Sequence, residues 1–279
     1  MKKLILFFFL SFAFNFVFAH SVEKKVSFSF KDTSKIKLLS LDFVNGTINV
    51  KGCKTNSVNI SGKIKVRGDD QSVCEEVLKK VKIKTDLSGG ELNISLNYKE
   101  LRDYLGDSGF FSWFCAKRTK KVNLSVELEL TVPEGFNMEF SGVNVDISVS
   151  NLNRVDISTV NGDVNVEDAE KVECESVNGD IKLNRVVYSV KCSVVNGDFS
   201  FKTRSKKISS ISFDSVNGDA KISVPASVIG DVETSSVSSK TTLILNGEKR
   251  KERDLKYKGE GKCDIDISTV NGDIVIEGF

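Results

Sequence analysis

The stretch Val160-Asn161-Gly162-Asp163-Val164 decides the fold of this chain, because the same five-residue pattern recurs along it. Asn-Gly favours positive φ and marks a tight turn, while the flanking valines favour β-strands. Further copies begin at Val177, Val195, Val216 and Val270, and divergent copies begin at Val44, Val143 and Val237. Eight copies of one short motif indicate a repeat architecture.

The spacing and the apolar pattern define the predicted repeat unit. Successive copies from Val143 to Val237 begin 17, 17, 18, 21 and 21 residues apart, which suits one coil of stacked β-structure and is too short for βαβ units. Apolar residues alternate with polar ones on both sides of Asn-Gly, so each copy reads as strand, corner, strand. We therefore predict an all-β fold, a parallel β-solenoid of about 17–21-residue coils. The predicted corner residues are Asn45, Gly46, Asn161, Gly162, Asn178, Gly179, Asn196, Gly197, Asn217, Gly218, Asn271 and Gly272.

About ninety residues between the first two copies break this rhythm. Strands are predicted at 58–66, 92–98 and 122–132, and a short amphipathic helix carrying Val73 to Val81 is predicted after a cap at Asp70 or Ser72. We expect a small N-terminal α+β elaboration within residues 20–135 and the solenoid repeats within 136–279. Residues 246–262 are rich in Lys, Arg and Glu and are predicted to form a solvated hairpin or loop.

Residues 1–19 read as a secretory signal peptide, with Lys2-Lys3, an apolar run and a small-residue cleavage pattern ending at Ala19. The protein is therefore expected to be exported, to the periplasm or the cell surface, with no later segment long enough to span a bilayer. Removal of Lys2 and Lys3 leaves 38 basic and 38 acidic residues. A neutral chain is a poor partner for nucleic acid, which binds basic surfaces.

Two further segments carry a family resemblance. One is Thr131-Val132-Pro133-Glu134-Gly135-Phe136, which leads into the Asn-Gly-Asp copies, and the other is the closing run from Asp264 to Ile274. With these motifs, nearly all of residues 20–279 resembles the DUF4097 family of candidate bacterial adhesins. The resemblance implies an exported protein with a β-helix-like fold and no established enzymatic activity. The chain departs from the common pattern in its aromatic stretch around Trp113 and in its six cysteines.

Aspartates share one position in the repeat. Stacked carboxylates repel one another, and a calcium ion could relieve the repulsion by taking their oxygens as ligands. Aspartate after Asn-Gly is also an ordinary turn residue, so a purely structural role is the alternative. The weak calcium candidates are Asp163, Asp180, Asp198 and Asp219.

The cysteines are Cys53, Cys74, Cys115, Cys174, Cys192 and Cys263. Cys174 and Cys192 occupy the same apolar position in consecutive copies, which predicts that they stack inside the solenoid. They either form a disulfide between two coils or remain buried thiols. His20 is the single histidine, which excludes His-based triads and most zinc sites.

Aromatic residues concentrate in the stretch 104–115, next to several lysines. Exposed, they would form a binding tip for an envelope glycan, a protein or a lipid surface, and folded back they would cap the open end of the solenoid. The binding candidates are Tyr104, Phe110, Phe111, Trp113 and Phe114.

No residue is predicted to be catalytic and no cofactor is predicted. Uniform carboxylates on successive coils lack the differentiated pair that glycoside cleavage requires. The sequence favours a non-catalytic, adhesin-like binding or scaffold module of the bacterial envelope. The alternatives are a passive structural or stress-linked envelope component and, third, a calcium-dependent enzyme acting on polysaccharides.

Overall fold

Strands dominate the computed structural model, which describes residues 20–31, 33–105 and 122–279. The predicted signal peptide lies outside the described residues. The helices are α1 (Gln71–Lys80) and α2 (Arg102–Leu105), with 3-10 turns at Tyr98–Leu101 and Ala226–Val228. The strands are β1 (His20–Phe30), β2 (Leu38–Cys53), β3 (Val58–Gly68), β4 (Ile83–Ser88), β5 (Glu91–Leu96), β6 (Val122–Pro133), β7 (Asn137–Asn161), β8 (Val164–Asn178), β9 (Ile181–Asn184), β10 (Ser189–Asn196), β11 (Phe199–Lys202), β12 (Ser210–Asn217), β13 (Ala220–Val224), β14 (Ile229–Ser236), β15 (Thr241–Leu245), β16 (Glu248–Glu252), β17 (Lys256–Lys258), β18 (Cys263–Asn271) and β19 (Ile274–Gly278).

Two parallel ladders meet at the Asn-Gly corners. Strands before the corner form what we call the first face, where the end of β7, the end of β8, β10, β12 and β18 pair in that order. Strands after the corner form the second face, where the start of β8, β9, β11, β13 and β19 pair in that order. Motif residues align across both ladders, which confirms the predicted all-β, solenoid-like fold.

The core lies between the two faces. Inward residues of both ladders are buried and outward residues are mostly exposed, as the period-two pattern predicts. Phe199 of the second face stacks on Phe213 of the first, with ring centroids 4.3 Å apart and an interplanar angle of 11°. Such aromatic contacts across the interior join the faces in addition to the burial of apolar surface.

The coils do not stack in the order of the sequence. The C-terminal copy, β18 and β19, inserts between the Val216 copy and the Val237 copy, because β18 pairs with both β12 and β14 and β19 pairs with both β13 and β15. The segment 246–262 makes this insertion possible. It supplies the turn and strand β16 of an antiparallel hairpin with the preceding β15, and its short strand β17 pairs antiparallel with β14, so that the chain returns to the position of the inserted coil. The hairpin alternative predicted for this segment is therefore the observed one.

The first copy is far from the second copy in sequence, but the two copies are neighbours in the stack. Strand β2 pairs along most of its length with β7, and Asn45 aligns with Asn144. The residues between them add β5 beside the first half of β2 and β6 beside the second half. The predicted strands at 58–66, 92–98 and 122–132 correspond to β3, β5 and β6. Strands β1 and β4, antiparallel to β3 and β5, were not predicted.

Helix α1 confirms the predicted amphipathic helix. Its cap is Asp70, whose side chain accepts hydrogen bonds from the N–H groups of Ser72 and Val73. At the other end, Lys24 Nζ of β1 donates to the carbonyl oxygens of Leu78 and Val81. A cation at the carboxyl end of a helix satisfies free carbonyls and complements the helix dipole. Asp70 thus caps the first turn of the helix, and Lys24 ties its carboxyl end to β1.

The corner glycines allow the coils to approach closely. Gly197 has φ +153°, and a Cβ built on it would lie 2.1 Å from the carbonyl oxygen of Gly179 on the preceding coil. Gly162, Gly179, Gly218 and Gly272 show the same approach, at 1.9 to 2.2 Å from the facing carbonyl oxygen. A side chain at this position would therefore push two coils apart.

We predict that Gly197→Ala lowers the free energy of unfolding by at least about 2 kcal/mol, because the methyl group meets backbone rather than a movable side chain. Urea unfolding followed by circular dichroism measures the change. The matched control is Ser200→Ala, at an exposed position of strand β11 three residues after Gly197, which should change the midpoint little. Equal midpoints for the glycine variant and the wild type would contradict the close approach.

Candidate functional site

A ladder of asparagine side chains runs along the corner. Asn178 Nδ2 donates to Asn161 Oδ1 over 2.7 Å, and Asn196 Nδ2 donates to Asn178 Oδ1 over 2.9 Å. The same bond repeats from coil to coil, so each amide donates to one neighbour and accepts from the other. The ladder comprises Asn45, Asn144, Asn161, Asn178, Asn196, Asn217 and Asn271. It holds neighbouring coils in one register.

Both ends of the ladder are satisfied by other groups. Asn45 Nδ2 donates to the carbonyl oxygen of Leu124 over 3.2 Å. In the divergent Val237 copy, Ser238 Oγ donates to Asn271 Oδ1 over 2.6 Å and Ser239 Oγ accepts from the N–H of Gly272 over 3.1 Å. The two serines thus replace Asn-Gly at the coil where the stack ends.

The motif valines form an exposed stripe beside this ladder. Six of them are between 39% and 41% exposed, and Val237 on the end coil is 67% exposed. The six are Val143, Val160, Val177, Val195, Val216 and Val270. These valines recur at the first position of every motif copy, but the alternation of the strand places them on the outer surface rather than in the core. Stacked β-branched side chains favour the extended backbone just before the corner.

The corner aspartates have a defined structural partner. Asp180 Oδ1 accepts the backbone N–H of Asp198 over 2.9 Å, and Asp198 Oδ1 accepts that of Asp219 over 2.9 Å. Asp163 accepts the N–H of Asp180 in the same way over 3.0 Å. The structure therefore brings the four calcium candidates Asp163, Asp180, Asp198 and Asp219 onto consecutive coils. Each of the first three uses one carboxylate oxygen to bind the next coil, and Asp219 does so for Asp273.

An open groove of about 530 Å³ lies on the outer surface of the first face. Hydroxyl, amide and carboxylate groups of the outward positions line it: Ser40, Asp42, Asn93, Glu139, Ser141, Asp156, Ser158, Glu173 and Glu175. Arg154 lies at its edge, where Nε contacts Asp156 at 3.0 Å and a terminal nitrogen contacts Glu173 at 3.3 Å. We call this surface the first-face groove.

A second open groove, of about 450 Å³, lies on the second face and is lined by Asn, Ser, Lys and Glu side chains together with three valines. Near it, the opposite corner of the coil uses residues with φ between 55° and 59°: Asn151, Asp168 and Arg185. Arg185 donates from Nε and from one terminal nitrogen to the two oxygens of the Asp168 carboxylate, each over 2.6 Å, and this hydrogen bonding lowers the pKa of Asp168. This corner could not be predicted from the sequence, because it has no constant residue type.

The cysteines lie where the alternation predicts. Cys174 and Cys192 are aligned in neighbouring strands and buried, and both are thiols in this structure. The contact with Cys192, together with burial, raises the pKa of Cys174 well above its usual value. Burial, and secondarily Asp264, raises the pKa of Cys263 to about 12. The disulfide between Cys174 and Cys192 stays a prediction.

Of the aromatic binding candidates, only Tyr104 lies within the described residues. Its hydroxyl donates to Glu76 over 2.8 Å, and Lys80 Nζ donates to it over 2.5 Å and lies 4.8 Å from the ring centroid. Tyr104 is therefore held against α1. Phe110, Phe111, Trp113 and Phe114 lie outside the described residues.

Comparison with known proteins identifies the family. Residues 25–277 match the family described as Toastrack DUF4097, so the chain belongs to that family and the resemblance seen in its motifs is confirmed. None of the curated proteins matches the chain. Within the part of the chain that the structure describes, no helix is long and apolar enough to cross a membrane.

Three solved structures show distant similarity to the chain. A candidate cell adhesion protein from Clostridium sporogenes ATCC 15579 is 14% identical, with a TM-score of 0.35, and the match covers 94% of this chain and 100% of that one. A candidate adhesin from Bacteroides fragilis NCTC 9343 is 14% identical, with a TM-score of 0.35, and the match covers 90% of this chain and 97% of that one. A candidate adhesin from Parabacteroides distasonis ATCC 8503 is 13% identical, with a TM-score of 0.36, and the match covers 93% of this chain and 98% of that one. At these TM-scores the similarity is too low to establish a shared function.

We predict that Asn196→Ala lowers the free energy of unfolding by about 1–3 kcal/mol, because it removes two hydrogen bonds and leaves the amides of Asn178 and Asn217 each without one partner. Urea unfolding gives the value. The control is Asn165→Ala, an exposed asparagine whose side chain makes no hydrogen bond with the described residues. If both variants cost the same, the ladder contributes nothing specific.

We predict that iodoacetamide labels Cys53, which is half-buried, well before Cys74, Cys174, Cys192 and Cys263, which are buried. Peptide mapping by mass spectrometry of native and urea-unfolded protein measures the order. A non-reduced digest tests the disulfide, since linked peptides containing Cys174 and Cys192 would reveal it. Labelling of Cys174 as fast as that of Cys53 would contradict the packing.

Proposed function

We propose that this protein is an exported module of the bacterial envelope or cell surface that binds or scaffolds without catalysis. In this proposal, residues 20–135 form a small α+β region around the first copy, and residues 136–279 form a rigid solenoid of 17–21-residue coils. Membership of the Toastrack DUF4097 family is consistent with such a role. The signal-like residues 1–19 support export.

The observation that carries the proposal is the continuous amide ladder. It fixes the coils in register, so outward side chains repeat at the strand spacing of about 4.8 Å along both faces. A polymer or extended partner lying along a face meets many equivalent weak contacts. Because the scaffold is already ordered, these contacts add without a separate ordering cost for each.

Two regions are the proposed contact surfaces. The first-face groove offers hydroxyl, amide and carboxylate groups in a row, which suits hydrogen bonding to an envelope glycan or to a cationic segment of a protein. The aromatic stretch with Phe110, Phe111, Trp113 and Phe114 offers rings for a sugar, a protein pocket or a lipid interface, beside lysines that favour an anionic surface.

A passive structural envelope component is the second candidate. The contacts of Tyr104 with Lys80 and Glu76 favour it, because they hold the first ring of the aromatic stretch against α1. The aromatic stretch would then close the stack rather than bind a partner. The third candidate, a calcium-dependent enzyme acting on polysaccharides, would require activity that is lost in Asp180→Asn or Asp198→Asn.

We predict that purified residues 20–279 bind an envelope fraction or anionic liposomes saturably in a pull-down. One variant replaces Phe110, Phe111, Trp113 and Phe114 by Ser, and a second replaces Glu139 and Glu173 of the first-face groove by Gln. The control replaces Ser148 and Asn165 of the second face by Ala. Circular dichroism establishes that each variant is folded.

Loss of binding in one folded variant, with the control unchanged, would place the contact surface. No binding by any of the proteins would contradict a binding module and favour the passive component. An aromatic variant that unfolds would show that these rings cap the stack, and the groove variant would then remain the test of binding.

A further inference from the structure

The chain contains seven Asn-Gly pairs, and the structure places them in two different environments. Six lie at the solenoid corners and contribute their amides to the ladder. The seventh, Asn246-Gly247, forms the two-residue turn between β15 and β16. Asn-Gly is the dipeptide most prone to deamidation, because glycine has no side chain to hinder attack by its backbone nitrogen on the preceding amide carbon.

The ladder opposes this reaction at both reacting groups. In the middle of the stack, Asn196 Nδ2 and Oδ1 are hydrogen bonded to Asn178 and Asn217. The attacking nitrogen is also bound, since the N–H of Gly197 donates to the carbonyl oxygen of Asn217 over 3.0 Å. Gly162, Gly179 and Gly218 donate to the next asparagine carbonyl in the same way, at 2.9 to 3.0 Å. Deamidation there requires a local opening of the stack.

The hairpin turn offers no such protection. Asn246 and Gly247 have φ of 51° and 82°, as in a type I′ turn, and both residues are exposed. The Asn246 side chain makes no hydrogen bond with the described residues, and space is open for 4 Å around a Cβ built on Gly247.

We propose that Asn246 is a site of spontaneous modification, converted to aspartate and isoaspartate while the six Asn-Gly asparagines of the ladder stay intact. The Gly247 nitrogen loses its proton and forms a bond to Cγ of Asn246. The Cγ–Nδ2 bond breaks and ammonia leaves, which gives a cyclic succinimide. Water then opens either carbonyl of the ring, so the reaction consumes one water and needs neither oxidant nor enzyme.

The product changes the end of the stack. Isoaspartate adds one methylene to the backbone of a turn that has only two residues, so β15 and β16 lose the register that joins Leu245 to Glu248. Among the described residues, β16 is the strand that covers the outer edge of β15. Loss of the hairpin therefore uncovers the edge of Thr241-Thr242-Leu243-Ile244-Leu245, a segment of high β-propensity.

Peptide mapping of purified residues 20–279 after incubation at mildly alkaline pH tests the proposal. Native protein should show the mass gain of amide-to-acid conversion at Asn246. The modified fraction at Asn246 should exceed that at each ladder asparagine by at least about tenfold, because two hydrogen bonds protect the amide of a ladder asparagine from attack. An isoaspartate-specific assay should give a signal that Asn246→Gln abolishes. Urea-unfolded protein is the control, in which all seven asparagines should react at similar rates.

The same samples also test whether the modification disrupts the β15–β16 hairpin. Hydrogen exchange of residues 248–252 should accelerate in the aged protein but not in aged Asn246→Gln. Ladder asparagines that react as fast as Asn246 in the native protein, or an Asn246 that stays intact after the unfolded control has reacted, would overturn the proposal. Unchanged exchange at 248–252 after modification would overturn the loss of the hairpin.

Discussion

The approach of one backbone corner to the next is the constraint on which the rest of this structure depends. A Cβ on Gly179, Gly197 or Gly218 would lie within 2.2 Å of a carbonyl oxygen on the adjacent coil, so only glycine permits this spacing. The spacing in turn brings asparagine amides within hydrogen-bonding distance of each other, at 2.7 to 2.9 Å in the ladder. The close approach that glycine permits is thus what allows the asparagine ladder to form.

The register of neighbouring coils follows from these Asn-Gly corners. Once the Asn-Gly corners are aligned, the alternation of the strands places Cys174 on Cys192 and Phe199 beside Phe213 without further specification. The same alternation turns the motif valines and the carboxylates outward. The corner aspartates then add a second row of bonds between coils, because each accepts the backbone N–H of the next aspartate.

Local features of the sequence were sufficient for the local structure. The period-two pattern and Asn-Gly predicted the strands and corners, and Asp70 with the apolar face of 73–81 predicted α1. The order of the coils could not be predicted in this way, because the Val270 copy fits beside any other copy. Its insertion between the Val216 and Val237 copies depends on the return path through β16 and β17, whose exposed, charged residues carry no periodic signal. Strand β1 was not predicted, and Lys24 at one of its inward positions interrupts the apolar alternation.

The candidate site was predictable to a smaller degree. The stacked aspartates and the paired cysteines could be predicted, since both occupy constant positions in the repeat. The first-face groove was not foreseen, because it is formed by Ser40, Asn93, Glu139 and Asp156, which come from three strands distant in sequence, β2, β5 and β7. Such a surface exists only after the first copy has stacked on the second, a long-range pairing between β2 and β7.

Hydrogen exchange of the corner glycine amides, resolved by NMR, tests the central claim most directly. If the corners hold the coils together, the N–H groups of Gly162, Gly179, Gly197 and Gly218 should be among the slowest to exchange, as slow as amides in the middle of β10 and β12. Exchange of these glycines at the rate of the exposed Gly247 turn would contradict the account, since the corners would then open independently of the stack.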